Sequence, residues 1–225
     1  MLGVFRQLSY RWMKRIGEMN EEELLSSLVL LADDTVDFLS DSRKWERECW
    51  VCTAFLSALQ INVSRSNLIK PTIEPPDVIY QGANFEVFVV LDQGRKLHDD
   101  WKKLSSLYKS AETLNDVMEP YKSPKKMSGV EVVEFLKPTL SKKRESYARR
   151  NISLSDIDVL VYLNFKEHTL DLSTPFPELD KLQQQGGWRS LSVYGNSFCR
   201  VLYAEQSAPI FLCSHVGNTI SIVPE

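Results

Sequence analysis

Residues 74–96, EPPDVIYQGANFEVFVVLDQGRK, contain the stretch of sequence that decides the fold. Residues 78–80 and 85–91 are rich in β-branched and aromatic side chains, and the QGAN between them predicts a turn, so the pattern favours two adjacent antiparallel strands. Two acids, Asp77 and Glu86, lie beside these apolar residues. Carboxylates are rarely buried without a partner, so the predicted hairpin is a candidate functional site.

Strand alternation places the two acids on one face of the predicted hairpin. If Gln81 pairs with Asn84, Asp77 lies opposite Phe88 and diagonal to Glu86. Side chains at that separation can converge on one hard cation, and Mg²⁺ or Mn²⁺ prefers such oxygen ligands. The pattern therefore predicts a metal site on Asp77 and Glu86. The alternative is an acid at a strand entry and an acid paired with Arg or Lys in a partly buried network.

The segments around the hairpin predict an α/β domain. Apolar residues at helical spacing predict helices over residues 21–40, 42–60 and 94–110. The basic segment 122–150 predicts two further helices, the second beginning at Pro138. From residue 156 the chain is predicted to form short strands, in the runs DIDVLVYLNF, HTLDL, WRSLSVYG, FCRVLYAE, PIFLC and TISIV. This order favours a mixed sheet flanked by helices.

Composition limits the classes of function. With 225 residues, 43% of them hydrophobic, the chain can bury one sizeable core, predicted over residues 19–225. Its net charge of −3 argues against a surface that grips nucleic acid everywhere. Residues 1–18 are basic and predict an extension outside the domain; the alternative is an arm that touches a membrane or an acidic partner.

The apolar runs and the cysteines bear on location. No run approaches the roughly 18 apolar residues of a membrane span. The four cysteines, without a secretory signal, predict reduced thiols in the cytoplasm.

Cys49 and Cys52 lie on a predicted helix stripe and are expected to pack in the core. The three histidines, His98, His168 and His215, are isolated along the sequence, and for His98 a solvated helix face is expected over a catalytic role.

The hairpin resembles the PD-(D/E)XK core of restriction-endonuclease-like proteins, in which an Asp ends one strand and Glu-x-Lys lies on the next. Pro76-Asp77 and Glu86-Val87-Phe88 fit this pattern, except that Phe88 stands at the lysine position. The longer runs RKWERECWVC, EPPDV, FEVFVVLDQGRKL and QGGWRSLSVYG resemble a bacterial family of uncharacterised proteins labelled "putative endonuclease", over roughly residues 20–223.

This resemblance implies a restriction-endonuclease-like α/β fold. It also implies Mg²⁺-dependent or Mn²⁺-dependent hydrolysis of phosphodiester bonds without an organic cofactor. Phenylalanine can neither orient the attacking water nor stabilise charge, so the third catalytic group beside Asp77 and Glu86 is open. Lys96 is the nearest candidate in the sequence. Glu48 resembles the extra acid that some nucleases of this fold supply to the metal; the alternative is an ion pair with Lys44.

The basic segment 122–150 is the candidate surface for DNA or another nucleic acid. It holds nine Lys or Arg residues and three Glu residues. The predicted phosphate contacts are Lys142, Lys143, Arg144, Arg149 and Arg150. The alternative for this segment is a solvated charged face. The alternative for the whole chain is a non-catalytic interaction domain that keeps the nuclease fold, with Phe88 marking the lost chemistry.

Overall fold

The computed structural model describes residues 19–120, 122–177, 187–195 and 197–222. Its contacts divide the chain into two compact units. The sheet unit comprises the described residues of 51–92 and 124–222, and the helical unit comprises the described residues of 19–50 and 93–123. The predicted extension over residues 1–18 lies outside the described residues.

Five helices are found in the described part of the chain. They are α1 (Glu21–Phe38), α2 (Lys44–Ala58), α3 (Leu97–Ser110), α4 (Gly129–Arg149) and α5 (Ile210–Cys213). None of these helices is long and apolar enough to cross a membrane. In the helical unit, α1 begins with a capping box between Asn20 and Glu23. Asp33 of α1 accepts hydrogen bonds from Ser105 Oγ at 2.6 Å and Lys109 Nζ at 2.7 Å, which tie α1 to α3.

The sheet unit contains the strands. They are β1 (Val78–Tyr80), β2 (Ala83–Leu91), β3 (Lys125–Met127), β4 (Asp158–Asn164), β5 (His168–Leu170), β6 (Ser190–Gly195), β7 (Phe198–Ala204) and β8 (Thr219–Ser221). Six of them form one sheet in the order β1-β2-β4-β6-β7-β8, and β3 pairs with β5 separately. β2, β4 and β6 run parallel, whereas the other neighbours in the large sheet are antiparallel. The predicted mixed sheet is therefore confirmed.

Helices cover both faces of the large sheet. On one face, α4 packs Val132 and Leu136 into a core that includes Phe88. On the other face, Phe55 of α2 meets Phe85 edge-on, with ring centroids 6.1 Å apart. Because successive strand residues alternate between faces, Glu86 lies on the same face as Phe88, under α4.

The hairpin between β1 and β2 is tighter than predicted. Gln81 and Gly82 form a two-residue turn with φ of 45° and 82°, and Ile79 pairs with Asn84. The predicted pairing of Gln81 with Asn84 is wrong by two positions. Positive φ at both turn residues matches the twist of the flanking strands, which favours the shorter turn.

The corrected register brings the two acids closer together. Extending the pairing by one residue places Asp77 directly opposite Glu86 instead of diagonal to it. The backbone N–H of Asp77 donates to the carbonyl oxygen of Phe85 at 2.8 Å, which continues the ladder. A shift of two residues preserves the face of every side chain, so both acids still lie on one face.

Two predicted elements differ from the structure. The basic segment forms one helix, α4, with Pro138 in its interior. Leu136 and Tyr147, on either side of that proline, are both buried, and this shared burial outweighs the lost backbone hydrogen bond. The run PIFLC is a short helix and not a strand. At its C-terminal end, the backbone N–H of Ser214 donates a hydrogen bond to Ile210 O at 2.9 Å.

A buried ion pair joins the N-terminal ends of the parallel strands. The carboxylate of Asp158 is fully buried and accepts hydrogen bonds from the Arg189 guanidinium, from Ser190 Oγ at 2.8 Å and from the Asn84 N–H at 2.8 Å. Arg189 Nη2 also donates to Gly82 O at 2.8 Å. One ion pair therefore ties the hairpin turn to β4 and β6.

We expect Asp158→Asn to destabilise the protein by about 3 to 5 kcal/mol, because it leaves the buried Arg189 charge without its counter-ion. Urea denaturation measures this loss in the free energy of unfolding. The matched control is Glu134→Gln, which removes an exposed carboxylate paired with Lys137 and should cost less than about 0.5 kcal/mol. Equal effects of the two substitutions would contradict the role given to the buried pair.

Candidate functional site

The two acids of the hairpin are both buried in the structure. Asp77 Oδ2 accepts a hydrogen bond from the backbone N–H of Val87 at 2.9 Å. This bond fixes Asp77 against β2, next to Glu86. Burial raises the pKa of Glu86, and the charge of Asp77 raises it further. Two carboxylates held together out of water are typical of sites with a chemical function.

Helix α4 supplies two partners for one oxygen of Glu86. Lys143 Nζ lies 2.8 Å from Glu86 Oε1, and the Tyr147 hydroxyl donates to the same oxygen. Lys143 and Tyr147 are four residues apart, so they project from the same side of the helix. The pKa of Tyr147 is raised by burial and by its hydrogen bond to Glu86, which keeps its hydroxyl protonated as a donor.

The other oxygen of Glu86, Oε2, is buried and has no hydrogen-bond partner among the described residues. A buried acceptor without a donor is costly, by about 1 to 3 kcal/mol. A divalent cation would satisfy it, since carboxylate oxygens are the ligands that Mg²⁺ prefers. This unsatisfied oxygen beside Asp77 therefore fits a metal site.

The ammonium of Lys143 lies over the aromatic rings at the base of the site. Its Nζ is 5.1 Å from the centroid of the Phe88 ring and 5.1 Å from that of Tyr147. Both rings pack edge-on against Trp188. The distance between ring centroids is 6.4 Å for Phe88 and 5.8 Å for Tyr147. A cation from α4 thus stands above Phe88, the residue at the lysine position of the pattern.

The structure gives other contacts to the two remaining candidates. The side chain of Lys96 is 80% exposed, and its Nζ lies 4.0 Å from Asp99 Oδ2. Glu48 Oε1 lies 3.3 Å from Lys44 Nζ. This ion pair is the alternative that the sequence analysis gave for Glu48. Within the described ranges, no group of three or more His, Cys, Asp or Glu side chains could hold a metal. The catalytic role of Lys96 and the metal-binding role of Glu48 stay predictions.

The predicted phosphate contacts separate into two groups. Lys142, Arg144 and Arg149 lie exposed on the C-terminal half of α4, whereas Lys143 is directed to Glu86. The guanidinium of Arg150 lies 5.7 Å from the Tyr147 ring. The exposed cations therefore lie on the same helix that contributes Lys143 to the carboxylate site.

The contacts of Tyr147 and Lys143 with Glu86 were missed by the sequence analysis. The sequence carried one usable signal: Tyr147 lies about three helical turns after Leu136 and is in phase with the buried face of α4. An apolar phase that continued through Pro138 would have indicated one helix, with Lys143 one turn before Tyr147.

His168, which is isolated along the sequence, has a buried acidic partner in the structure. Its Nδ1 lies 2.7 Å from Oδ1 of the buried Asp92, just beyond β2. Asp92 Oδ2 also accepts the backbone N–H groups of Lys166 and Glu167. The group holds the turn between β4 and β5. Cys49 and Cys52 are buried in the core and are not joined in a disulfide, as expected.

Comparisons with known proteins identify relatives of the whole chain. A solved structure of a protein of unknown function from Pseudomonas aeruginosa strain PAO1, described as a member of the monooxygenase superfamily, is 36% identical. The match has a TM-score of 0.66 and covers 91% of this chain and 97% of that one. No curated protein matches. The family model described as "Putative endonuclease, protein of unknown function (DUF1780)" matches residues 20–224. The chain therefore belongs to this family of endonuclease-labelled proteins of unknown function.

Proposed function

We propose that this protein is a metal-dependent phosphodiester hydrolase with a restriction-endonuclease-like site whose lysine comes from a helix. The observation that carries the proposal is the position of Lys143. Its ammonium is 2.8 Å from Glu86 Oε1 and 5.1 Å from the ring centroid of Phe88. The family description, which names an endonuclease, supports the same class of reaction.

Each residue of the site has a distinct role in this proposal. Asp77 and Glu86 would hold Mg²⁺ or Mn²⁺, which when bound lowers the pKa of water and neutralises phosphate charge. Lys143 places a positive charge where the pattern has its lysine and stabilises the negative charge that develops on phosphate. Tyr147 holds the Glu86 carboxylate in position by donating to Oε1. The water oxygen would bond to phosphorus and lose one proton as one P–O ester bond breaks, and the leaving oxygen would gain one proton.

DNA or another nucleic acid is the proposed substrate. Lys142, Arg144 and Arg149 are exposed on the helix that carries Lys143, and their exposure supports their proposed role as phosphate contacts. Arg150, whose guanidinium donates to Glu74 O at 3.4 Å, lies at the end of the same helix. Cations on one helix can follow a phosphate backbone that leads to Glu86.

The solved relative is described as a monooxygenase-superfamily member, and the two descriptions name different chemistry. We favour hydrolysis because two carboxylates and an ammonium suit a phosphate substrate. The second candidate is the non-catalytic interaction domain, favoured by Phe88 at the lysine position. Metal binding together with cleavage of nucleic acid would favour the hydrolase, and the absence of cleavage would favour the non-catalytic interaction domain.

We expect Mg²⁺ or Mn²⁺ to raise the melting temperature, because a ligand that binds only the folded state stabilises it by mass action. At a metal concentration of about 100 times Kd the gain is about 2.7 kcal/mol. Thermal denaturation with and without metal measures it. Glu86→Gln should abolish the gain, and Glu134→Gln, on an exposed face of α4, should keep it. The same gain in Glu86→Gln would indicate that metal binds elsewhere.

We expect Lys143→Met to lower the rate of DNA cleavage by about 10² to 10³, the usual cost of losing one charge-stabilising group. Cleavage of labelled DNA in Mg²⁺ measures this rate. The double variant Phe88→Lys/Lys143→Met returns the ammonium to β2 and should recover part of it, whereas Asp77→Asn should abolish cleavage. Lys137→Met, on the same helix, serves as the matched control.

The same assay tests Lys96. Activity that survives Lys143→Met and is lost in Lys96→Met would assign the lysine role to Lys96. Wild-type protein that binds metal and DNA without cutting would favour the interaction domain.

We expect salt-sensitive binding of nucleic acid through α4. Replacing Lys142, Arg144 and Arg149 together with Gln should weaken binding and reduce the slope of log K against log salt by about 0.9 for each phosphate that the protein no longer neutralises. Fluorescence anisotropy of a labelled duplex at several salt concentrations measures both quantities. An unchanged slope would mean that these three side chains face solvent in the complex.

A further inference from the structure

We propose that Lys143 is a resident counter-ion that occupies the metal-binding carboxylates until a divalent cation displaces it. Displacement frees the ammonium for an anionic group of the substrate. This inference rests on the proposed function, because it concerns how the same carboxylates are loaded with metal. It goes further by giving Lys143 two positions, one for the metal-free site and one for the loaded site.

The exposure of the two partners shows which of them can move. Only 4% of the Glu86 side chain is exposed, whereas 39% of the Lys143 side chain is exposed. Glu86 is fixed on β2, and its Oε1 also accepts the Tyr147 hydroxyl. Lys143 has a flexible stem and an open route to solvent. If one partner leaves, it is therefore Lys143.

Charge explains why a metal would cause that movement. Asp77 and Glu86 contribute two negative charges to a buried space, and Lys143 contributes one positive charge at 2.8 Å from Glu86. A divalent cation on Glu86 Oε2 would lie close to the ammonium on Oε1 of the same carboxylate. Like charges at that range repel strongly where water is excluded.

Tyr147 keeps its hydrogen bond to Glu86 while the ammonium is replaced by the metal ion. Its hydroxyl is a neutral donor to Glu86 Oε1, so a metal ion does not repel it. When the ammonium leaves, Tyr147 still holds the carboxylate in position. The rings of Phe88 and Tyr147, each 5.1 Å from Lys143 Nζ, lie beside the ammonium and leave its exposed side open.

The first test measures the affinity of the full chain for Mn²⁺ alone by isothermal titration calorimetry. We expect Lys143→Met to bind Mn²⁺ at least about tenfold more tightly than the wild type, because the competing charge is gone. Lys137→Met, which removes a similarly exposed lysine of the same helix that pairs with Glu134, should bind like the wild type. Glu86→Gln should lose binding in the wild-type and Lys143→Met backgrounds.

The outcomes distinguish this inference from the proposed function. Glu86-dependent binding that is equal or weaker in Lys143→Met would overturn the counter-ion role and leave the metal site standing. No Glu86-dependent binding in either the wild type or Lys143→Met would overturn both.

A second measurement uses the wild-type protein and needs no substitution at Lys143. Acetylation of lysine amines, quantified by mass spectrometry, reports how freely each amine meets the reagent. We expect labelling of Lys143 to increase several-fold on addition of saturating Mn²⁺, while labelling of Lys137 stays constant. In Glu86→Gln, Lys143 should be reactive with or without metal. Wild-type labelling of Lys143 that does not change with bound Mn²⁺ would overturn the inference.

Discussion

The buried ion pair between Asp158 and Arg189 is the contact on which the geometry of the sheet unit depends. Its groups reach the hairpin turn at Gly82, the first residues of β2 at Asn84, and the start of β6 at Ser190. A buried carboxylate and guanidinium tolerate little displacement, because each is costly to leave unpaired. The ends of three parallel strands and the turn before them are therefore held in one arrangement.

This arrangement determines what the hairpin can present. With the turn fixed, Asp77 lies opposite Glu86 on the face covered by α4. The helix then contributes the ammonium and the phenol that contact Glu86 Oε1. The strands thus supply the two carboxylates, and the helix supplies the ammonium and the hydroxyl that donate hydrogen bonds to one of them. This packing leaves Glu86 Oε2 without a hydrogen-bond partner among the described residues.

Much of the fold was predictable because its signals are local. Alternating apolar residues gave the strands, helical spacing gave the helices, and residue parity gave the shared face of Asp77 and Glu86. The register was missed because it depends on the conformation of Gln81 and Gly82. Lys143 was assigned to phosphate binding because its contact with Glu86 spans 57 residues of chain. The contact between Asp92 and His168, across 76 residues, was missed for the same reason.

The origin of the ammonium on α4 has a consequence for how such sites are recognised. A scan for Glu-x-Lys on one strand passes over this chain, because residue 88 is phenylalanine. Under the proposed function, the informative pattern is discontinuous: an Asp and a Glu-x-aromatic on a hairpin, followed downstream by Lys-x-x-x-Tyr on a helix. This proposal implies that a phenylalanine at position 88 is compatible with the site as long as the helix keeps its lysine and tyrosine. It also implies that homologues should be compared at positions 88, 143 and 147 together.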